Sequence, residues 1–137
     1  MSERLPPVPP PPGRPSPGDR PGVVTGAGVL LIVGGVLGIL LGILLLAGAG
    51  AARGRGAGGL FTMVGLVSIV VGAIQSYAGL QVLNLREVGR TLGIAIAAVG
   101  AVFALLSVGR APGALLTIVI DLFIIYALTQ NKQYFTA

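Results

Sequence analysis

The stretch VVTGAGVLLIVGGVLGILLGILLL, residues 23–46, decides the fold: it carries no charge, no proline and a single hydroxyl, on Thr25. The hydrocarbon core of a bilayer is ~30 Å thick, and a helix rising ~1.5 Å per residue crosses it with ~20 apolar residues. This stretch is long enough, and three more runs resemble it. Residues 56–85 and 91–109 hold no charge, and residues 111–131 hold only Asp121. Helices are predicted near Val23–Leu46, Leu60–Leu83, Thr91–Val108 and Gly113–Gln130. An open sheet would strand unpaired backbone groups in lipid, and strand-like alternation is absent. The expected fold class is therefore all-α: a four-transmembrane-helix bundle over residues 23–131, with a short C-terminal tail at 132–137.

Composition excludes the main alternatives. Of 137 residues, 54% are hydrophobic and 9% charged, against roughly 25% charged in an average soluble domain. So few charges cannot cover a water-facing surface. With no Cys and no His, disulfide scaffolds, thiolate metal sites and imidazole acid–base chemistry are ruled out. The expectation is a non-enzymatic protein without cofactor or metal. The net charge of +5 does not indicate nucleic acid, because the nine basic residues lie singly or in pairs between apolar runs, with no basic helix face and no interleaved aromatics.

Residues 1–22 belong to a different solvent. Nine of the ten prolines lie there, with almost nothing apolar to bury, which predicts a disordered, partly polyproline-II tail. Arg4, Pro7 and Pro10, or in reverse Pro9, Pro12 and Arg14, have the spacing of peptides that dock in aromatic-lined grooves. Any proline-dense tract meets such spacings by chance, and a solvated spacer is the simpler reading. Ala47-Gly48-Ala49 has a signal-cleavage pattern, but the preceding apolar run is too long for a cleaved leader, so the first helix is expected to be retained.

Topology follows from Lys and Arg in the short flanks. With the N-terminus inside, Arg4, Arg14, Arg20, Arg86, Arg90 and Lys132 are cytoplasmic, whereas Arg53, Arg55 and Arg110 lie outside. That balance predicts a plasma-membrane protein with both termini cytoplasmic. Tyr126, Tyr134 and Phe135 would then sit at the inner interface.

Membrane helices associate through close backbone contact at small residues. Gly34, Gly38 and Gly42 form a four-residue ridge on the first helix; Ser68, Gly72 and Ser76 do so on the second, and Gly93, Ala97 and Ala101 on the third. These predict a tight bundle, within one chain or as a homo-oligomer. Gly54-Arg55-Gly56-Ala57-Gly58-Gly59 matches GxGxxG, but it follows a membrane helix and no acid comes before Glu87, so it reads as an external loop and not a nucleotide site.

Asp121 is the one residue whose position is costly. An acid at the bilayer centre costs ~2.5–3.5 kcal/mol on insertion scales, which marks it as a functional candidate. Thr117 lies one turn earlier, and Gln75, Ser76 and Tyr77 offer polar groups on the second helix. The expected arrangement is a polar clamp in which Asp121 bonds Gln75 or Tyr77 and fixes helix register. The competing reading is a protonatable site in an oligomeric channel or proton-coupled carrier.

Residues 65–130 resemble a family through Gly72-Ala73-Ile74-Gln75, Gly79-Leu80-Gln81-Val82-Leu83, Gly89-Arg90-Thr91-Leu92-Gly93-Ile94 and the ending Ile120-Asp121-Leu122-Phe123-Ile124-Ile125-Tyr126-Ala127-Leu128-Thr129. The family comprises small four-helix actinobacterial membrane proteins, a domain of unknown function. The chain departs from its pattern at Val88, where a Trp commonly stands. The resemblance implies a fold and a membrane location, carries Asp121 as a pattern position, and implies no activity. The expected role is an accessory or assembly partner of a membrane complex, with the lipid bilayer as its surroundings.

Overall fold

The computed structural model describes residues 6–8 and 20–136. The expectation for the tail at 1–22 falls almost wholly outside the described residues. Four helices follow in order: α1 Gly22–Arg53, α2 Gly58–Leu83, α3 Glu87–Ser107 and α4 Ala114–Gln130, then a 3-10 turn at Lys132–Tyr134. The fold is all-α. The first three helices are long and apolar enough to cross a membrane; α4, with 17 residues, is shorter.

α1 runs seven residues past the predicted end at Leu46 and stops at Arg53. Its extra turns are held by α2: Ala49 is buried, and a Cβ added to Gly58 would lie 2.9 Å from the Ala49 carbonyl oxygen. The loop left between the helices is only Gly54–Ala57, turning through Gly56 at φ +73°, a left-handed conformation open to glycine. The GxGxxG match is thus a tight helix–helix turn that runs into α2.

α1 and α2 pack antiparallel along a seam of glycines, and the seam has a seven-residue repeat. Gly28, Gly35 and Gly42 of α1 face Gly79, Gly72 and Gly65 of α2. A Cβ on Gly72 would lie 2.5 Å from Gly35 O, one on Gly79 would lie 2.7 Å from Gly28 O, and one on Gly42 would lie 2.6 Å from Gly65 O. The two backbones therefore touch, leaving no room for a methyl group between them. This corrects the predicted ridge at Gly34, Gly38 and Gly42: only Gly42 is in the closest contact. Gly38 has 3.5 Å of space to the Gly72 Cα, and Gly34 meets only the Gln75 amide. The reason is the period. A four-residue ridge suits a right-handed crossing, whereas two long antiparallel helices stay in contact over many turns when the repeat is seven. On α2, Gly72 and Ser76 stand in the seam, and Ser68 borders it through its carbonyl.

α3 packs on α2 and α4, and α4 packs on α3 and more narrowly on α1, so α2 and α4 are diagonal. The shared core lies at one end. Val24 and Leu31 of α1, Val82 of α2, Ala97 of α3, and Ile124 and Leu128 of α4 are buried together there. Gly93 admits this crowding: a Cβ on it would come within 2.8 Å of Leu128 and 3.1 Å of Leu31. Ala97 of the predicted α3 stripe is buried beside it, and Ala101, one turn on, is half-buried.

The same end is tied off by the termini. Leu85 turns the chain between α2 and α3 at φ 55° and is buried with Phe135. Thr136 N–H donates to Leu85 O at 2.9 Å, and Glu87 N–H donates to Thr136 O at 2.8 Å. Arg20 donates from Nη1 to Leu83 O at the end of α2, and Arg90 pairs with Glu87 across one turn of α3. At the opposite end the α3–α4 pair stands out from the bundle, with Leu106 71% and Leu116 65% exposed. Leu, Val and Ile side chains lie exposed along all four helices. Water would penalise such an exterior by roughly 25 cal/mol per Å² of apolar surface; lipid would not.

Candidate functional site

Asp121 stands at the middle of α4, and its position is set by α3. Gly100 has no side chain where the carboxyl lies: a Cβ there would come within 2.6 Å of Asp121 Oδ2. The carboxyl is thereby laid against the α3 backbone. Oδ2 is buried and has no hydrogen-bond partner among the described residues.

Beside it is a cavity of about 490 Å³. α2 contributes Ile74 and Gln75, α3 contributes Ala95, Gly100 and Phe103, and α4 contributes Thr117 and Asp121. The walls are otherwise apolar, and the exposed side chains of Ile74 and Phe103 leave the cavity open sideways to the surroundings of the bundle.

Of the predicted polar cluster, three members meet here: Asp121, Thr117 and Gln75. The other two go elsewhere. Ser76 is turned into the α1–α2 seam opposite Gly35, with its Oγ buried and without a hydrogen-bond partner among the described residues. Tyr77 is half exposed on the outside of α2. The predicted clamp is not formed: no hydrogen bond joins Asp121 to Gln75 or Tyr77 among the described residues. Two causes act together. α2 and α4 are diagonal, with a cavity between them at this depth. The Gln75 amide is drawn to the gap that Gly34 leaves on α1. Thr117 donates to Gly113 O within its own helix at 3.3 Å, so its hydroxyl hydrogen is engaged.

Sequence reasoning missed Gly100 as the counterpart of Asp121. The signal was present, since glycine at one helix face is what a polar side chain on a neighbour needs for close approach, but nothing in a single chain says which helices are neighbours. The chemistry available is that of one carboxyl in an apolar, laterally open recess, with an amide and a hydroxyl oxygen on its rim. Such a recess can accept a hydrogen-bond donor or a cation. It offers no nucleophile–base pair.

No curated protein and no solved structure matches the chain. The likeness read from residues 65–130, to a family without an assigned activity, agrees at that level with the family comparison. Residues 23–133 match the Domain of unknown function (DUF7144), from the start of α1 to beyond the end of α4, and the chain belongs to that family.

Proposed function

We propose that the protein is a non-enzymatic, multi-pass protein of the plasma membrane that serves as an accessory or assembly partner in a membrane complex. Its transmembrane domain is residues 23–131, with all four helices crossing, and the tails at 1–22 and 132–137 are cytoplasmic. The observation that carries this reading is the unserved carboxyl of Asp121 beside a laterally open cavity. A polar group left without a partner in hydrocarbon costs several kcal/mol, on the order of a lost hydrogen bond plus desolvation. The fold keeps the acid in place with no donor among the described residues, and on this reading a partner supplies one.

Two features support the placement. α4 spans ~25 Å at 1.5 Å per residue, short of a ~30 Å core, and is carried across with its flanks by local thinning, for which mismatch costs are small. The closed end holds Arg20, Arg86, Arg90 and Lys132, the cations expected inside. Because the chain has no Cys, introduced thiols report topology cleanly. An impermeant thiol reagent added to intact cells is expected to label the Ala57→Cys protein and to spare the Gln133→Cys protein. The reverse labelling would invert the topology.

The accessory role is tested by purification from native membranes in mild detergent. Specific membrane proteins are expected to co-purify and to be lost or reduced with Asp121→Asn. Recovery of this chain alone, with membrane complexes intact after its deletion, would remove the reading. The same cavity also favours a second reading, a small carrier or oligomeric channel working through Asp121. Proteoliposome flux insensitive to Asp121→Asn would dispose of that one.

A further inference from the structure

We infer that the cavity between α2, α3 and α4 is a binding site for a lipophilic organic cation that enters from the bilayer and pairs with Asp121; this rests on the membrane placement proposed above.

Four observations converge on that class. The first is size: about 490 Å³ falls inside the ~300–1,000 Å³ range of small-molecule sites. The second is shape. The α3 wall runs from Ala95 to Phe103, or ~12 Å at 1.5 Å per residue, whereas a partner helix is itself ~10–12 Å wide and packs along much of a ~30 Å span. The recess is a pit that a compact molecule fills, whereas a partner helix reaches Asp121 only with a side chain. The third is charge. Asp121 is the only charged side chain between Arg110 and Lys132, and Arg110 lies beyond the start of α4 at Ala114, which is itself seven residues, ~10 Å of helix, from Asp121. Among the described residues no cation pairs with it. The fourth is access: Ile74 and Phe103 on the rim are exposed to the side, so a ligand dissolved in the acyl region reaches the site without crossing the protein.

The physical chemistry selects the sign. In a low-dielectric recess an ion pair is far stronger than in water, and an anion of equal shape meets an uncompensated repulsion. Apolar walls supply affinity for the body of the ligand but do not distinguish charge. Gly100 matters here because it keeps the carboxyl against α3 and so leaves the cavity volume free for the ligand.

The test uses the detergent-purified full chain and two probes of matching shape and opposite sign, radiolabelled tetraphenylphosphonium and tetraphenylborate, in equilibrium dialysis. The phosphonium is expected to bind saturably, one per chain, and the borate much more weakly. Asp121→Asn, which keeps size and removes charge, is expected to weaken phosphonium binding by about tenfold to a hundredfold, the range of a hydrogen-bonded or ion-paired contact to a charged group. Borate binding is expected to be unchanged or tighter in that variant. Val99→Phe, at a further α3 residue lining the cavity, is expected to fill it and abolish saturable binding of both. Equal binding of the two probes, or phosphonium binding indifferent to Asp121→Asn, would overturn the proposal. So would native membranes in which the Asp121→Cys protein crosslinks to another protein's helix while the purified parent chain binds no phosphonium. Alkaline carbonate extraction separates this from failure of the membrane reading. A chain that stays in the pellet yet binds no cation loses only the present inference, whereas a chain released to the supernatant loses the membrane placement itself.

Discussion

Gly72→Ala and Gly35→Ala are each expected to destabilise the folded chain by about 1–3 kcal/mol, the usual cost of overpacking. A larger residue such as Gly72→Leu is expected to prevent α1 and α2 from pairing at all. The reason is that the obstacle is backbone. A Cβ on Gly72 would lie 2.5 Å from Gly35 O and 2.8 Å from Ile39 N, and neither atom can turn aside as a side chain would. The helices would have to separate along their length, since the contact repeats at Gly28–Gly79 and Gly42–Gly65. Gly38→Ala is the discriminating control. Its nearest neighbour would be 3.5 Å away, an ordinary van der Waals contact, so it should be nearly neutral. Gly48→Ala and Gly50→Ala meet nothing within 4 Å and should gain about 0.5–1 kcal/mol from reduced backbone freedom in the unfolded state. Thermal unfolding in detergent, followed by circular dichroism, ranks these variants. Sensitivity at Gly34 and Gly38 with tolerance at Gly35 would restore the four-residue ridge and refute the seven-residue seam.

That contrast shows what a single sequence carries. The apolar spans were legible because lipid allows so few solutions: twenty uncharged residues leave the backbone little but a helix. That glycine marks close approach was legible, but the ridges read from the sequence include Gly42 and Gly72 and not Gly28 or Gly35. The register of the seam was not legible. Gly28, Gly34, Gly35, Gly38 and Gly42 satisfy both a four- and a seven-residue repeat, and only the partner helix decides between them. The ends of α1 were hidden for a related reason, since Ala47–Ala52 holds its helix by packing on the start of α2. Asp121 was legible as an anomaly. Gln75 and Thr117 share its cavity, but the donor expected from α2 required α2 and α4 to touch. Adjacency among four helices is set by which faces fit, at Gly93, Gly100 and the Phe135–Leu85 contact. No one-helix periodicity encodes that.

The second large effect is expected from Asp121→Leu, and it should be a gain in insertion with a loss of function. On insertion scales Leu at a helix centre contributes about −0.5 kcal/mol and Asp about +2.5 to +3.5 kcal/mol, so the substitution favours α4 by about 3–4 kcal/mol. α4 is the helix for which this matters most, being the shortest of the four at 17 residues and having the acid one residue from its midpoint. A clamp to α2 would oppose the gain, because removing one partner leaves the other unsatisfied. Asp121 Oδ2 has no such partner among the described residues, so nothing there is orphaned by its removal. The extra bulk of leucine cannot lie where the carboxyl does, since Gly100 leaves space for little more than an oxygen there, but the adjoining cavity of about 490 Å³ can take it. The folded bundle should therefore be at least as heat-stable as the parent, while α4 carrying leucine should insert more completely in a glycosylation-mapped reporter. Leucine removes the charge and occupies the recess, so co-purifying partners or cation binding should vanish in the same variant. A clear fall in thermal stability with Asp121→Leu, rescued by Asp121→Asn, would mean that the carboxyl is held by the bundle after all, and the search for its donor would return to α2.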